Sequence, residues 1–361
     1  MKKIPIILCL LIFSVSITSS QKIIENPKKP LNKNAGRIVH LKETMRITDE
    51  EGEFYLQSPR NLRITDDGSI FILDREQLLQ FNEDGKYIRN YFKKGQGPGE
   101  LNFVLNYVLE KDHLIVQDTS PSKLMYFDFN GKFQEEKSLN GINGQLQLLF
   151  SHEGSFYFIK SDRPRPEKEL KVIDWSQLLV SLSGEMKSLN ELADFPLKLM
   201  MSQGSATSLM EVYTALVQKR YLCVVHTPEY MIHFFDLDSN KLIKSVTREY
   251  KRVKRLKDQS EGGIIGSEKT PNPPGYDYLI DVNQIVEFNG NLMAKTSTKD
   301  KNGNSLYDVF TVDGEYLDSF YLSVNGRLVA THENYIFVVE KDGDELLSIV
   351  KYQVINKANF K

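Results

Sequence analysis

Cysteine is nearly missing from this chain, with two among 361 residues, Cys9 and Cys223. Tryptophan occurs once, at Trp175, and neither sign of charge is in excess: 46 Lys and Arg stand against 48 Asp and Glu, a formal net charge of −2. Each shortage excludes something. Two cysteines cannot staple a disulfide-built scaffold. No basic surplus drives nonspecific attraction to nucleic acid, so no nucleic-acid partner is expected. No bilayer-length apolar run follows the first twenty residues, so no transmembrane segment is expected in the mature chain. The six histidines, His40, His113, His152, His226, His233 and His332, fall in neither HxH nor HExxH spacing. That leaves no zinc motif. There is no G-x-S-x-G elbow and no Gly-Lys-Ser/Thr phosphate loop. No catalytic residue and no metal ligand is therefore assigned.

What is present begins with an address. Met1-Lys2-Lys3 is basic, residues 4–13 are apolar apart from Pro5, and residues 14–20 are small and polar. This is the layout of a signal peptide, with Thr18 and Ser20 at −3 and −1 of a cut before Gln21. Cys9 comes too early for lipidation and follows Leu8 where a small residue is needed, so there is no lipobox and no lipoprotein is expected. Export places the mature chain in the periplasm or outside the cell, where association with the envelope is compatible with its composition. Cleavage leaves 44 basic against 48 acidic residues and Cys223 as the only cysteine. Within the apolar run Tyr221-Leu222-Cys223-Val224-Val225 it reads as a small core residue.

The mature chain repeats one β unit. Residues 59–91 show it most clearly: a short strand at 61–64, a turn at Asp66-Asp67-Gly68, a continuous apolar strand at 69–74, a third strand at 78–81, the hairpin turn Asn82-Glu83-Asp84-Gly85, and a fourth strand at 86–91. Four short strands joined by tight turns make a propeller blade. The same order recurs at 112–139, 154–192, 219–247, 290–321 and 334–355. The sixth unit stops before its outer strand, while an orphan strand at 37–47 precedes the first. The expected fold is therefore all-β: a six-bladed β-propeller of four-stranded antiparallel blades, closed by an N-terminal strand pairing with the last blade. Residues 1–20 are the signal peptide, 21–36 a linker, 37–356 the propeller and 357–361 a tail. The segment 205–218 admits a helix, but it must also supply the inner strand of blade four.

Lys94-Gly95-Gln96-Gly97-Pro98-Gly99-Glu100, after a first blade ending Phe81-Asn82-Glu83-Asp84-Gly85-Lys86-Tyr87-Ile88, resembles the secreted bacterial six-bladed β-propellers related to NHL-repeat and TolB-like propellers. The resemblance spans residues 37–356. It implies a fold and an extracytoplasmic setting, and it implies no particular activity. Many such relatives carry a lipobox, and this chain does not.

In a four-stranded blade the b–c and d–a loops share one face, and the a–b and c–d loops share the other. The short Asn/Asp-Gly turns at 84–85, 130–131 and 313–314 are c–d turns, which makes that face structural. The irregular loops all fall on the opposite face, where binding is expected. Asp74 and Asp118 read as caps of their b–c turns, and Asp300-Lys301-Asn302-Gly303-Asn304 as a hairpin loop that fails the calcium pattern. The ligand-binding candidates are Arg75, Arg163, Arg165, His226 and Tyr230, with the two proline-flanked arginines suited to a carboxylate or phosphate. The basic run at 249–258 is a further anionic contact, or else a solvated loop. No cofactor is assigned, and calcium is the metal to consider. The expected function is a noncatalytic scaffold for a protein, peptide or glycan ligand. The alternative is a propeller hydrolase or lyase with a channel-mouth metal, similar to gluconolactonases or peptide-amidating lyases.

Overall fold

The turn grammar of the sequence is realised as six sheets. The computed structural model describes residues 22–49, 52–162, 164–165, 171–202, 205–255 and 277–355, and among these there is no helix. From the channel outward, blade 1 runs Pro59–Ile64, Ile70–Asp74, Gln77–Phe81 and Tyr87–Asn90. Blade 2 runs Val104–Leu109, His113–Thr119, Ser122–Asp128 and Phe133–Ser138. Blade 3 runs Gln145–His152, Ser155–Ser161, Lys171–Ser183 and Leu189–Ser202, with Ser205–Ser208 added outside. Blade 4 holds Tyr213–Val217, Tyr221–Val225, Ile232–Asp236 and Lys241–Arg248. Blade 5 holds Val282–Phe288, Asn291–Lys299, Ser305–Phe310 and Tyr316–Leu322. Blade 6 holds Gly326–His332, Tyr335–Lys341 and Leu347–Val354, completed by Leu41–Ile47. The chain is thus a six-bladed β-propeller.

Each middle strand serves two seams at once. Ile70 and Ile72 pack against Phe337 and Ile349 of blade 6, while Phe71 and Leu73 pack against Tyr107 and Val116 of blade 2. That is why Ile70–Asp74 and Gln77–Phe81 are buried at every residue, as continuous apolar runs require of a sheet covered on both faces. A slip of one residue would exchange the two sets of side chains, so register is strongly specified. The remaining seams repeat the device, with Cys223 buried between blades 4 and 5 beside Phe234 and Phe310.

Ring closure is confirmed and extended. Leu41–Ile47 pairs antiparallel with Leu347–Val354, from Val354 opposite Leu41 to Ile349 opposite Ile47. Arg37–Val39, expected in the same strand, instead runs parallel to the outer strand of blade 5. The segment expected as a linker contains a strand too: Lys22–Asn26 pairs in parallel with the outer strand of blade 4. Its physical reason is an edge with free backbone groups and an apolar notch. Ile24 lies against Val246 and against Gly314, whose φ of 94° and lack of a side chain leave room for it. Asn26 donates to Thr247 O (3.2 Å) and Gly314 O (2.9 Å) and accepts from Tyr316 N (2.9 Å). The expected signal peptide, residues 1–20, and the expected tail, residues 357–361, lie outside the described residues.

Blade 3 departs from the repeat. Its second strand pairs only as far as Lys160 opposite Leu178, while the third and fourth continue to Lys171 opposite Met201. A two-stranded ribbon therefore rises beyond the b–c and d–a end. Leu197 and Trp175 on it, with Met210 beyond it, pack onto blades 4 and 5 near Tyr230 and Ile280. The segment 205–218 is strand, not helix: Ser205–Ser208 folds back on the ribbon and Tyr213–Val217 is the inner strand of blade 4.

Candidate functional site

Five of the six inner strands carry a bulge, with register shifts at Arg60/Arg63, Val104/Asn106, Leu148/Phe150, Val282/Gln284 and Leu328/Ala330. A skipped residue leaves the ladder, and its carbonyl must find another donor. For Leu105 and Leu149 another blade supplies it, and other inner-strand carbonyls are met in the same way. Arg60 of blade 1 donates to Val104 O and Leu105 O of blade 2, each at 3.3 Å. Arg63 reaches Leu149 O of blade 3 at 2.9 Å, with its guanidinium 5.6 Å from the Tyr107 ring centre. Arg327 of blade 6 donates to Pro59 O of blade 1 at 2.6 Å, and Gln284 of blade 5 to Leu328 O of blade 6 at 2.9 Å. Long polar side chains at the channel thus tie the ring together.

Where blades 1 and 2 meet, on the b–c and d–a face, lies a cavity of about 250 Å³. Arg60, Arg75, Glu76, Phe92, Asn102 and Phe103 line it. Two aspartates set its walls. Asp74 accepts from Gln57 N (2.7 Å) and Ser58 N (2.8 Å), and Asp118 from Asn102 N (2.8 Å) and Phe103 N (3.0 Å). The caps anticipated from the sequence therefore hold mainly the preceding d–a loop; Asp118 also takes Ser120 N of its b–c turn at 3.0 Å. The residue 94–100 loop is the other support. Glu100 folds back to accept from Gly97 N at 2.9 Å and pairs with Lys93 at 3.1 Å. Its pKa is lowered by the Gly97 amide and then by Lys93. Gly99, at φ 79°, would place a Cβ 3.0 Å from that of Phe133, so only glycine fits without displacement. The loop is a structural turn.

The cavity is cationic and apolar at once. Glu76 is matched by Lys94 at 2.8 Å, whereas neither Arg60 nor Arg75 forms an ion pair among the described residues. Burial lowers the Arg60 pKa, with the Asp74 charge acting against that shift. Phe103, on the cavity wall, is 59% exposed. Guanidinium groups beside an aromatic wall can hold a carboxylate, phosphate or sulfate while packing an apolar part of the ligand.

The five residues proposed from the sequence are not brought together. Arg75 lines the cavity, in the left-handed region at φ 48°. Arg163 lies outside the described residues, and Arg165 is exposed on the blade 3 loop. His226 is half-buried under the rising ribbon, its ring 4.9 Å from Phe195 and 4.8 Å from His233. Tyr230 is the clearest correction, because its ring is buried in the seam between blades 4 and 5. Its hydroxyl donates to Asp308 Oδ2 at 2.8 Å, leaving no face for a ligand. Within the basic run, Arg252 is also committed, to Asp281, Glu229 and Pro228 O. Arg60 and Phe103 were not among the sequence candidates. The available signal was a charged residue inside an inner strand, Pro59-Arg60-Asn61-Leu62-Arg63, where apolar alternation would place none.

The described residues contain one group of three side chains able to share a cation, His152, Glu153 and Asp238. It stands on the a–b and c–d face, away from the cavity. Arg220 approaches Asp238 at 3.1 Å, which places a fixed positive charge at that spot.

Residues 47–207 match the model of a family, DUF5128, described as a 6-bladed beta-propeller. No curated protein matches the chain. Among solved structures, a candidate exported protein of Bacteroides fragilis NCTC 9343 is 13% identical, with a TM-score of 0.55 over 93% of this chain and 100% of that one. A member of the duf4221 family from Bacteroides vulgatus ATCC 8482 is 9% identical, with a TM-score of 0.56 over 89% and 99%. A gluconolactonase of Xanthomonas campestris is 14% identical, with a TM-score of 0.47 over 90% and 97%. Identities this low describe a shared fold and carry no activity across.

Proposed function

We propose that this chain is an exported, noncatalytic binding propeller that receives an acidic group of its ligand in the cavity between blades 1 and 2. The observation that carries the reading is the pair Arg60 and Arg75, which form no ion pair among the described residues, beside the exposed Phe103. A metal-assisted hydrolase or lyase would draw on several ligands converging at the channel mouth. The one such group among the described residues stands at the opposite end, which favours binding over that alternative. The leader-like layout of residues 1–20 supports export, as does the description of one structural neighbour as a candidate exported protein.

The test is a titration of the mature chain with galacturonate and, separately, with galactose, followed by calorimetry or NMR. The acid is expected to bind and the neutral sugar of the same shape to bind far more weakly. Equal behaviour of the two sugars would defeat the proposal. N-terminal sequencing of protein exported by its native host is expected to start near Gln21, and retention of Met1 would remove the export claim.

A further inference from the structure

We infer that the channel mouth holds a second anionic subsite, formed by Lys295, Lys299 and Arg327 and continuous with Arg60, and that the ligand is an acidic oligosaccharide with repeated negative groups. This rests on the binding reading above and extends it from one acidic group to a chain of them.

The continuity follows from the pairing. Lys295 lies opposite Gln284 in blade 5. The Gln284 amide crosses the seam to Leu328 O in blade 6, next to Arg327. Arg327 crosses the next seam to Pro59 O in blade 1, next to Arg60. Lys295, Arg327 and Arg60 thus stand on the consecutive blades 5, 6 and 1, the last beside Arg75 in the cavity. Lys295 is half-buried, and its ammonium makes no hydrogen bond or ion pair among the described residues. Burial pushes its pKa down, and the like charges of Lys299 and Arg327 push the same way. Among the described residues no ion pair joins a carboxylate to Lys295, Lys299 or Arg327, and Asp300, next to Lys299, accepts from Asn302 N and Asn304 N. Asp74 holds backbone amides, Asp281 holds Arg252, and Glu340 holds Arg46 and the Tyr352 hydroxyl. Arg60 and Arg327 have a structural use as donors to neighbouring backbone; Lys295 has none. An uncompensated, half-buried ammonium that ties nothing together is destabilising unless an anion meets it.

The chemistry favours a sugar chain over an acidic peptide. A peptide captured as an added strand needs an open backbone edge, and the bulged carbonyls of Leu105 and Leu149 are already taken by Arg60 and Arg63. Phe92 and Phe103 flank the first subsite, where the C–H face of a pyranose can lie on a ring while its carboxylate meets a guanidinium.

The experiment compares galacturonate, oligogalacturonate and poly-L-glutamate on the full mature chain and on Lys295→Met. For the parent chain, the oligomer is expected to bind more tightly than the monomer and to weaken as salt rises. In Lys295→Met, oligomer affinity should fall about tenfold, monomer affinity should stay within about twofold, and the melting temperature should hold or rise. Unchanged oligomer affinity in Lys295→Met overturns the second subsite while leaving the first intact. Absence of monomer binding in the parent chain counts against the first reading instead. Poly-L-glutamate binding as tightly as oligogalacturonate overturns the assignment to a glycan.

Discussion

Arg248, on the outer strand of blade 4, and Asp308, on the third strand of blade 5, form a buried ion pair at 2.7 Å. Asp308 also accepts from the hydroxyls of Tyr230 (2.8 Å) and Tyr316 (2.7 Å). The Arg248 guanidinium lies 5.0, 4.8 and 5.1 Å from the ring centres of Tyr230, Tyr250 and Tyr316. Burial is the largest single influence on Arg248 and disfavours its charge, but Asp308, Tyr230 and Tyr316 together act against burial and leave the Arg248 pKa raised.

This arrangement predicts asymmetric mutational costs. Asp308→Ala strands a buried guanidinium and two hydroxyls, and should destabilise by about 3–5 kcal/mol in urea unfolding. Arg248→Met combined with Asp308→Leu removes both charges together. It should cost clearly less than the single Asp308 change, and a double variant as unstable as Asp308→Ala would show that the pair is not the source of the effect.

The His226 and His233 rings, stacked at 4.8 Å, predict a pH dependence. Burial, then the neighbouring His226, pushes the His233 pKa from 6.5 down to about 4, and burial lowers His226 as well. Both folded-state values lie below the unfolded one, so below pH 6.5 the unfolded chain binds protons that the folded pair refuses. Their contribution to stability is complete above pH 6.5 and is lost as pH falls towards 4. His233→Gln should flatten the stability curve in that window by about 1–2 kcal/mol, allowing for partial exposure to water. Superimposable curves for parent and variant would refute the assignment.

The N-terminal segment should behave as part of the ring. Removing residues 22–48 takes away the outer strand of blade 6 and the strands laid on blades 4 and 5, and should lower the melting temperature of the whole domain. Asn26→Ala alone loses three bonds to the blade 4–5 edge. It should cost about 1–2 kcal/mol, read by denaturant unfolding.

The blades were legible because apolar strands and tight turns recur at short range, as at Ile70–Asp74 and Gly85, with Asn240 taking the left-handed turn position in blade 4, which has no glycine. Closure by Leu41–Ile47 was legible because a missing strand at one end matched a spare strand at the other. The parallel strand Lys22–Asn26 was not, since parallel edge pairing needs no adjacent turn and its partners Gly314 and Tyr316 lie far along the chain. Tyr230 was misplaced for a related reason. Its loop context, Thr227-Pro228-Glu229-Tyr230, suggests exposure, and the aspartate that buries it, Asp308, belongs to the next blade. The channel mouth is the extreme case. Arg327 and Pro59 touch across the closure of the ring, so that contact forms only once six blades have assembled.

That geometry separates the two arginines of the cavity. Arg60 has two duties, because its guanidinium satisfies Val104 O and Leu105 O as well as facing the cavity. Arg75 is exposed, and none of the described contacts ties its side chain to the fold. Arg60→Met should therefore lower stability by about 1–2 kcal/mol, by leaving those carbonyls unpaired, and should weaken galacturonate binding as well. Arg75→Met should leave the urea midpoint within experimental spread and still weaken galacturonate binding, by about 1–2 kcal/mol for one lost charge-assisted contact. Measuring both variants by unfolding and by calorimetry distinguishes a ligand contact from a structural one. If Arg75→Met binds galacturonate as the parent does, the cavity between blades 1 and 2 is not where the acidic group sits.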